Sequence, residues 1–184
     1  MLISCYSKTD STNFQNGDII FQTSTSDQSK AIQIATNSKY SHMGILYKNG
    51  SDFFVYEAIQ PVKLTPLSDW IKRGKNGHYV VKRIKNSQKL LTPKVLKKMK
   101  LIGEKYAGKN YDLYFEWSDS RIYCSELVWK IYKEAVGVVS LLSPQLQMTG
   151  NEYKVQHQAD LMVARQALGM GVLRAESATK IVIP

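Results

Sequence analysis

Apolar positions recur along the chain with two periods, one typical of strands and the other typical of helices. Alternation of apolar and polar residues predicts strands over 17–21, 40–47, 53–58 and 78–84. Apolar residues spaced three and four positions apart predict amphipathic helices over 92–107 and 124–135, and shorter helical segments over 27–36 and 67–72. The pattern therefore indicates a domain in which short strands and helices are interspersed.

The two longer predicted helices begin with different signals. Thr92 is a capping residue, Pro93 suits the first helical turn, and Gly108 provides the stop. The second helix begins at Cys124, behind a Ser-Asp-Ser segment at 118–120 whose residue types cap helix starts. A sulfur at that position meets unpaired backbone N–H groups and the positive end of the helix dipole. Both favour the thiolate over the thiol.

A β-hairpin predicted over 40–58 brings a histidine close to an acid. His42 lies on its first strand, 48–51 supply the turn, and Glu57 lies near the end of the second strand. With the turn at this place, His42 is predicted to lie directly across from Glu57, within reach of a side-chain hydrogen bond. A carboxylate that orients an imidazole, which then takes a proton from a thiol, is the arrangement of an activated nucleophile. Cys124, His42 and Glu57 are therefore the candidate catalytic residues.

Each of these three residues also has an ordinary structural interpretation. A free cysteine is often an inert small hydrophobic residue of the core. A single histidine is commonly a satisfied surface or core residue, and a single glutamate is commonly a solvated charge. The coincidence of all three features favours the catalytic interpretation.

A set of short motifs stands in a defined order along the chain. They are Gly17-Asp18-Ile19-Ile20-Phe21-Gln22, Tyr40-Ser41-His42-x-Gly44, Tyr56-Glu57-Ala58, Tyr111-Asp112 and Tyr123-Cys124-Ser125-Glu126-Leu127-Val128. This order resembles the YaeF/YiiX-type permuted papain-like cysteine hydrolases, relatives of the NlpC-type cell-wall peptidases, and the YiiX type most of all. In that family the histidine strand precedes the cysteine helix, which is the reverse of the order in papain. The resemblance covers 16–137 and fades beyond.

The resemblance implies a fold and a set of roles. The fold is α+β, with an antiparallel, partly barrel-like sheet packed on the helix that carries the nucleophilic cysteine. Cys124 would be the nucleophile, His42 the general base and then acid, and Glu57 the orienting group. The backbone N–H of Cys124 would donate to the oxyanion, with Tyr123 or Ser41 as substrate-binding side-chain donors. A thioacyl-enzyme would then hydrolyse, and neither a metal nor an organic cofactor is required.

Composition and charge narrow the class of protein further. The 184 residues, 43% hydrophobic and 22% charged, suit one globular domain, and no apolar run approaches the roughly 20 residues that cross a bilayer. Two cysteines exclude a disulfide framework and a dedicated cysteine zinc site. A Cys5–Cys124 bridge is not expected, because it would consume the nucleophile.

The net charge of +10 includes a run of lysines within 94–105. A solvated helix face is the favoured interpretation of this run, and no recognised nucleic-acid motif accompanies it. Nucleic acid is therefore not expected as a partner. A third interpretation lies between a solvated face and a nucleic-acid patch. The lysines could attract anionic lipid head groups or wall polymers, which would attach the protein peripherally to the envelope.

The two ends of the chain carry weaker signals. Met1-Leu2-Ile3-Ser4-Cys5 is similar to the end of a bacterial lipoprotein signal, although only four residues precede Cys5. Residues 1–16 therefore have two interpretations. They are a tether left by a clipped signal, and the protein is then lipid-anchored in the cell envelope or periplasm. Alternatively, the match to a signal is chance, and the protein is then cytoplasmic. Residues 17–184 are expected to form a single hydrolase domain. Its weakly matched tail is predicted to contain a helix over 156–169 and a strand over 181–183.

Three functions stay open on the sequence alone. The first is a cysteine hydrolase that cleaves an amide bond in cell-wall peptide or a related small peptide. The second is a lipid acyl hydrolase or acyltransferase, because relatives with the same permuted fold handle fatty acyl groups. The third is a non-catalytic binding module, against which the intact Cys124, His42 and Glu57 argue. The oligomeric state is left open.

Overall fold

The structure is a computed structural model that describes residues 14–84 and 86–137. Cys5, most of the expected tether and the tail predicted over 138–184 lie outside the described residues. No helix in the described part of the chain has the length and apolar character needed to cross a membrane.

Short strands and helices follow one another, as the hydrophobic pattern predicts. The strands are β1 (Ile19–Ser24), β2 (His42–Asn49), β3 (Asp52–Glu57), β4 (Lys63–Pro66), β5 (Gly74–Lys82), β6 (Asn110–Tyr111) and β7 (Arg121–Ile122). The helices are α1 (Ser29–Ala35), α2 (Leu67–Arg73), α3 (Ser87–Leu90), α4 (Pro93–Tyr106) and α5 (Cys124–Val136).

The main sheet contains five strands in the order β4-β3-β2-β1-β5, and every neighbouring pair is antiparallel. Helix α5 packs against β2 and β3, and α4 packs against α5. The short strands β6 and β7 pair in parallel and form a separate two-stranded sheet directly before α5. The α+β class, with an antiparallel sheet packed on the cysteine helix, is therefore confirmed.

The sheet is buried on both faces, because successive side chains of its central strands point to opposite sides. On one face Ile45 and Tyr56 join the core under α4 and α5. On the other face Leu46 and Val55 pack against Trp70 of α2. Helix α2 is thus fixed on the face of the sheet that also carries His42, and this position matters for the candidate site.

Helix α4 begins where the sequence predicts and lies close to β3. The Thr92 side chain caps the helix by accepting a hydrogen bond from the Val95 N–H at 3.4 Å. Gly103 allows the close approach, since a Cβ atom there would lie 3.0 Å from the Tyr56 ring. The Tyr56 hydroxyl donates to the Gly103 carbonyl oxygen. The helix ends at Tyr106, just before Gly108.

The predicted start of α5 is confirmed, but the predicted capping by 118–120 is wrong. Strand β7 lies between that segment and the helix, and the N-cap residue is Tyr123. The Glu126 carboxylate accepts a hydrogen bond from the Tyr123 backbone N–H at 3.4 Å. Glu126, in the first helical turn, thus provides the capping that was predicted for 118–120. Its carboxylate accepts from the N–H of the N-cap residue and complements the helix dipole.

Candidate active site

His42 and Glu57 meet at the end of the hairpin, but their register differs from the predicted one. The pairing of Ile45 with Tyr56, continued by one residue, sets Gly44 opposite Glu57. The prediction that His42 lies directly across from Glu57 is therefore wrong, and the two residues are diagonal neighbours on one face. Their side chains still meet, because the His42 Nε2 atom and the Glu57 Oε2 atom lie 2.6 Å apart. Diagonal neighbours on a sheet remain within reach of long side chains.

Gly44 explains how the diagonal contact is made. A Cβ atom at this position would contact the Val55 side chain and would lie 2.7 Å from the Tyr56 carbonyl oxygen and 3.4 Å from the Glu57 Cβ. The backbone of β2 therefore lies too close to β3 for a larger residue. In the Tyr40-Ser41-His42-x-Gly44 motif, His42 thus supplies the imidazole, and Gly44 allows the two strands to approach closely.

The Glu57 carboxylate is fully buried and held by three side chains. Its Oε2 atom faces His42, while its Oε1 atom accepts a hydrogen bond from the Thr65 hydroxyl at 2.6 Å and another from the Arg73 guanidinium. Burial alone would raise the pKa of Glu57. The bond to His42, together with Thr65 and the charge of Arg73, lowers that pKa below its ordinary value. Glu57 is therefore an ionised and oriented carboxylate.

Cys124 is a free cysteine and occupies the first residue of α5. Its side chain hydrogen bonds the His42 ring, and the backbone N–H groups of Met43 and Ser125 donate to the sulfur. Since Nε2 of His42 faces Glu57, we assign the contact with Cys124 to the other ring nitrogen, Nδ1. The structure thus brings together Cys124, His42 and Glu57, which lie far apart in the sequence.

The electrostatics of the pair favour a thiolate and an imidazolium. Burial alone would lower the pKa of His42, but the hydrogen bonds and charges of Cys124 and Glu57 raise it from 6.5 to about 9. Burial alone would raise the pKa of Cys124. The hydrogen bond and charge of His42, helped by the backbone N–H groups of Met43 and Ser125, lower it instead. A thiolate next to an imidazolium is the reactive form of a nucleophilic cysteine.

Tyr111 is a site residue to which the sequence analysis gave no role. Its hydroxyl hydrogen bonds Cys124, and burial together with the thiolate charge raises the pKa of Tyr111 well above its ordinary value. The hydroxyl is therefore a permanent donor. Strand β6 holds Tyr111 in place by pairing with β7, and the buried Asp112 accepts hydrogen bonds from the backbone N–H groups of Tyr114 and Glu116. The Tyr111-Asp112 motif in the sequence was the signal that could have indicated this role.

Ser41 and Tyr123, the two predicted side-chain donors to the substrate, occupy structural positions. The Ser41 oxygen accepts a hydrogen bond from the Ser24 backbone N–H at 2.8 Å and lies 2.7 Å from the Ser29 hydroxyl. It joins β1 to the start of α1. Tyr123 is buried at the cap of α5, and its ring packs edge-to-face on Phe115 at 5.5 Å.

A buried lysine fixes the chain that leads into α5. The Lys130 Nζ atom lies 2.7 Å from the Ser118 carbonyl oxygen, from the Asp119 carboxylate and from the Glu126 carboxylate. Burial raises the pKa of Glu126 to about 7, although the Lys130 charge opposes this shift. Residues 118 and 119 therefore hold the helix through Lys130 in its second turn rather than through its first turn.

The imidazole of His42 lies between the Cys124 sulfur and the Glu57 carboxylate, because it hydrogen bonds both. Within 14–84 and 86–137, no three side chains of histidine, cysteine, aspartate or glutamate are grouped so that they could hold a metal ion. The described residues therefore do not fit a metal centre. What they fit is proton transfer from a thiol to an imidazole that is oriented by a carboxylate.

Known proteins are similar to this chain in sequence and in fold. A sequence model described as "Permuted papain-like amidase enzyme, YaeF/YiiX, C92 family" matches residues 13–179. The chain is 46% identical over 143 residues to a protein of Escherichia coli (strain K12) named "Uncharacterized protein YiiX", a match that covers 72% of this chain and 69% of that protein. A structure titled "Crystal structure of metalloprotein yiiX from Escherichia coli O157:H7" matches with a TM-score of 0.64 and 50% identity, over 67% of each chain. The resemblance inferred from the motifs is thereby confirmed.

Proposed function

The chain belongs to the YaeF/YiiX family of permuted papain-like amidases, and from this premise we propose that it is a cysteine hydrolase with a Cys124–His42–Glu57 triad. Its substrate is an amide bond in cell-wall peptide or a related small peptide. One observation carries the proposal. The imidazole of His42 bonds Cys124 on one side and the buried carboxylate of Glu57 on the other.

The proposed reaction proceeds by acyl transfer to the sulfur and then to water. The Cys124 thiolate attacks the carbonyl carbon, so that a C–S bond forms and the carbonyl oxygen becomes an oxyanion. The His42 imidazolium gives its proton to the amide nitrogen, the C–N bond breaks, and the amine leaves. His42 then takes a proton from water, which attacks the thioester and releases the acid and the thiolate.

Tyr111 is proposed as a donor to the oxyanion. Its hydroxyl already points to the sulfur, so it lies beside the position at which the C–S bond forms. Its raised pKa keeps it protonated, as a donor must be. The backbone N–H of Cys124, at the positive end of α5, is proposed as the second donor. Ser41 is not carried into this role, because its oxygen is engaged by Ser24 and Ser29.

A lipid acyl group is the second candidate substrate, and one observation favours it. Immediately after Tyr111, Leu113 and Tyr114 expose 51% and 44% of their surfaces. Two exposed apolar side chains that follow Tyr111 within three positions of the chain suit an acyl chain. A cell-wall or lipid substrate would place the protein at the cell envelope, where Cys5 is proposed as a site of lipid attachment.

The proposal is tested by combining thiol reactivity with product analysis. Iodoacetamide at pH 5.5 is expected to alkylate Cys124 of the folded protein much faster than the same residue of the urea-denatured chain, as detected by mass spectrometry of the Cys124 peptide. Purified cell-wall peptide fragments are expected to be cleaved by the wild type and not by Cys124→Ser. Phospholipid vesicles, incubated in parallel, test the second candidate. Equal alkylation of the folded and denatured chains would exclude the activated thiolate and leave the binding module as the better account.

A further inference from the structure

Helix α2 places two side chains, one turn apart, against the pair formed by His42 and Glu57. Trp70 is fully buried, and its ring stacks on the His42 ring with centroids 6.0 Å apart and planes inclined by 27°. Arg73, three residues later, bonds the Glu57 carboxylate through its guanidinium. Residues three apart share one face of a helix. Neither side chain belongs to the triad, yet both contact it.

The two oxygens of the Glu57 carboxylate have different partners. Oε1 accepts hydrogen bonds from Arg73 and Thr65, and this leaves Oε2 to face His42. A buried carboxylate with only one of these partners could rotate or take up a proton, since an unpaired buried charge is costly. Arg73 supplies the only full positive charge among these partners other than the imidazolium itself.

With Arg73 included, the charged groups form a chain of alternating charge. The Arg73 side chain, at the outer end of this chain, is 41% exposed, whereas Glu57, His42 and Cys124 are almost fully buried. The order is guanidinium, carboxylate, imidazolium and thiolate, and the four charges sum to zero. Without Arg73 the remaining three groups carry a net negative charge in a buried place. That charge favours protonation of the most basic anion of the set.

We propose that Arg73 is a positioning residue of the candidate active site: it holds the Glu57 carboxylate so that His42 faces Cys124, and its charge, at the solvent-facing end of the set, balances the negative charges of Glu57 and Cys124. The inference rests on the proposed function in one respect, namely that the thiolate of Cys124 is the reactive group. It goes beyond the triad, because it assigns a role to a residue of α2 that never touches the reacting atoms.

Other charged or titratable groups around the sulfur come from several elements. Tyr111 of β6 bonds Cys124 and stays protonated, and Asp112 adds a negative charge beside it. His42 of β2 and Glu57 of β3 complete the set that faces the sulfur or its partner. None of these residues is substituted when Arg73 alone is changed, so a change in thiol reactivity can be traced to the loss of Arg73 and its hold on Glu57.

The neighbouring Lys72 provides a matched control. Its side chain is 76% exposed, and its ion pair among the described residues is a 3.5 Å contact with Asp69, which is itself exposed. Lys72→Met therefore removes one positive charge next to Arg73 without touching Glu57. Arg73→Met removes the charge and the contact, Arg73→Gln keeps a donor without charge, and Arg73→Lys keeps the charge without the planar guanidinium fork.

The test is the pH dependence of Cys124 alkylation by iodoacetamide, which needs no substrate. In the wild type the midpoint should lie well below that of an ordinary thiol. Arg73→Met and Arg73→Gln should raise the midpoint by roughly half a unit to one unit, which slows alkylation below the midpoint about three- to tenfold. Arg73→Lys should restore part of the difference, and Lys72→Met should match the wild type. Thermal unfolding identifies which variants are folded at the assay temperature.

The outcomes separate this inference from the proposed function. A low midpoint in the wild type that is unchanged in a folded Arg73→Met or Arg73→Gln variant would overturn the role of Arg73 and leave the triad intact. An equal rise in Lys72→Met would also overturn it, since a general loss of charge would then explain the effect. A wild-type midpoint equal to that of the denatured chain would overturn both the inference and the triad.

Discussion

Replacing Glu57 by glutamine tests the triad with the smallest change in shape. The two side chains have the same length, but the amide replaces one oxygen by an NH2 group. In the structure, Oε1 receives two donors, the Thr65 hydroxyl and the Arg73 guanidinium. The amide oxygen of Glu57→Gln should therefore occupy that place, because an NH2 group there would face two other donors.

The substitution Glu57→Gln changes which nitrogen of the His42 ring carries the proton. With its oxygen toward Arg73, the amide turns its NH2 group to the Nε2 atom of His42, which must then accept rather than donate. The neutral ring consequently carries its proton on Nδ1, the nitrogen that faces Cys124. An imidazole in this tautomer cannot take the thiol proton. The variant should thus keep the shape of the site and lose its base.

The expected loss of kcat/KM in Glu57→Gln follows from the free energy by which Glu57 stabilises the His42 imidazolium. Its pKa of about 9, against an ordinary 6.5, corresponds to roughly 3 kcal/mol in favour of the imidazolium. Cys124 and Glu57 share this effect. A hydrogen bond to a charged group is worth about 1.5–3 kcal/mol, which by itself lowers the rate roughly ten- to a hundredfold. The wrong tautomer adds to this, so a loss of kcat/KM of about a hundredfold or more is expected.

The assay compares Glu57→Gln with Glu116→Gln, in which an exposed acid near the site is neutralised. Glu116 pairs with the half-exposed Arg121 at 3.3 Å and does not contact the triad. Iodoacetamide alkylation and substrate cleavage should both fall in Glu57→Gln, and neither should change in Glu116→Gln. Similar unfolding temperatures for the two variants would exclude a loss through misfolding. Wild-type rates in a folded Glu57→Gln variant would remove Glu57 from the mechanism.

The remaining predictions concern the donor to the oxyanion and the packing of the hairpin. Tyr111→Phe should lower kcat about a hundredfold, with KM nearly unchanged, because a donor used only in the transition state is lost; an unchanged kcat in steady-state kinetics would exclude this role. Gly44→Ala should lower the free energy of unfolding by about 1–3 kcal/mol in urea titrations, because the new methyl group meets the Tyr56 carbonyl oxygen and the Val55 side chain. Wild-type stability of Gly44→Ala would mean that β2 and β3 separate more easily than their contacts suggest.

The sequence predicted those parts of the site that depend on short-range pattern. The start of α5 at Cys124 and the start of α4 behind Thr92 follow from hydrophobic spacing and capping residues that lie within a few positions of each other. The hairpin that carries His42 and Glu57 could be predicted for the same reason. The cap of α5 was predicted wrongly, because Ser and Asp at 118–120 have the right chemistry for a cap but lie too far from the helix to serve as one.

The register of the hairpin could not be predicted from these signals. Hydrophobic alternation fixes which side chains share a face, and a shift by two residues keeps that face unchanged. His42 therefore remains on the face of Glu57 whether the two are opposite or diagonal. Only the close approach at Gly44 distinguishes these arrangements, and it depends on the Tyr56 backbone of the neighbouring strand.

The contacts of Arg73 and Tyr111 with the triad could not be predicted from the sequence for a different reason. Each meets the triad through tertiary packing, Arg73 from a helix on one face of the sheet and Tyr111 from a two-residue strand ahead of α5. Neither contact follows from a local pattern. In the sequence, Arg73 is one of 25 basic residues, and what distinguishes it is its contact with Glu57, the carboxylate that faces His42.

Burial of Cys124, His42 and Glu57 explains why these residues and Arg73 should act as a unit. A thiolate, an imidazolium and a carboxylate are each costly to remove from water, and each becomes tolerable only when its neighbours carry the opposite charge. The half-exposed Arg73 guanidinium supplies such a charge at the outer end of the set. Removing any one group leaves its neighbour as an unpaired buried charge, and that neighbour can respond by changing its protonation. The losses caused by Glu57→Gln and Arg73→Met should therefore overlap rather than add, since both act on the ionisation of the same sulfur. The geometry consequently describes one coupled acid–base unit that extends from α2 through the sheet to the first turn of α5.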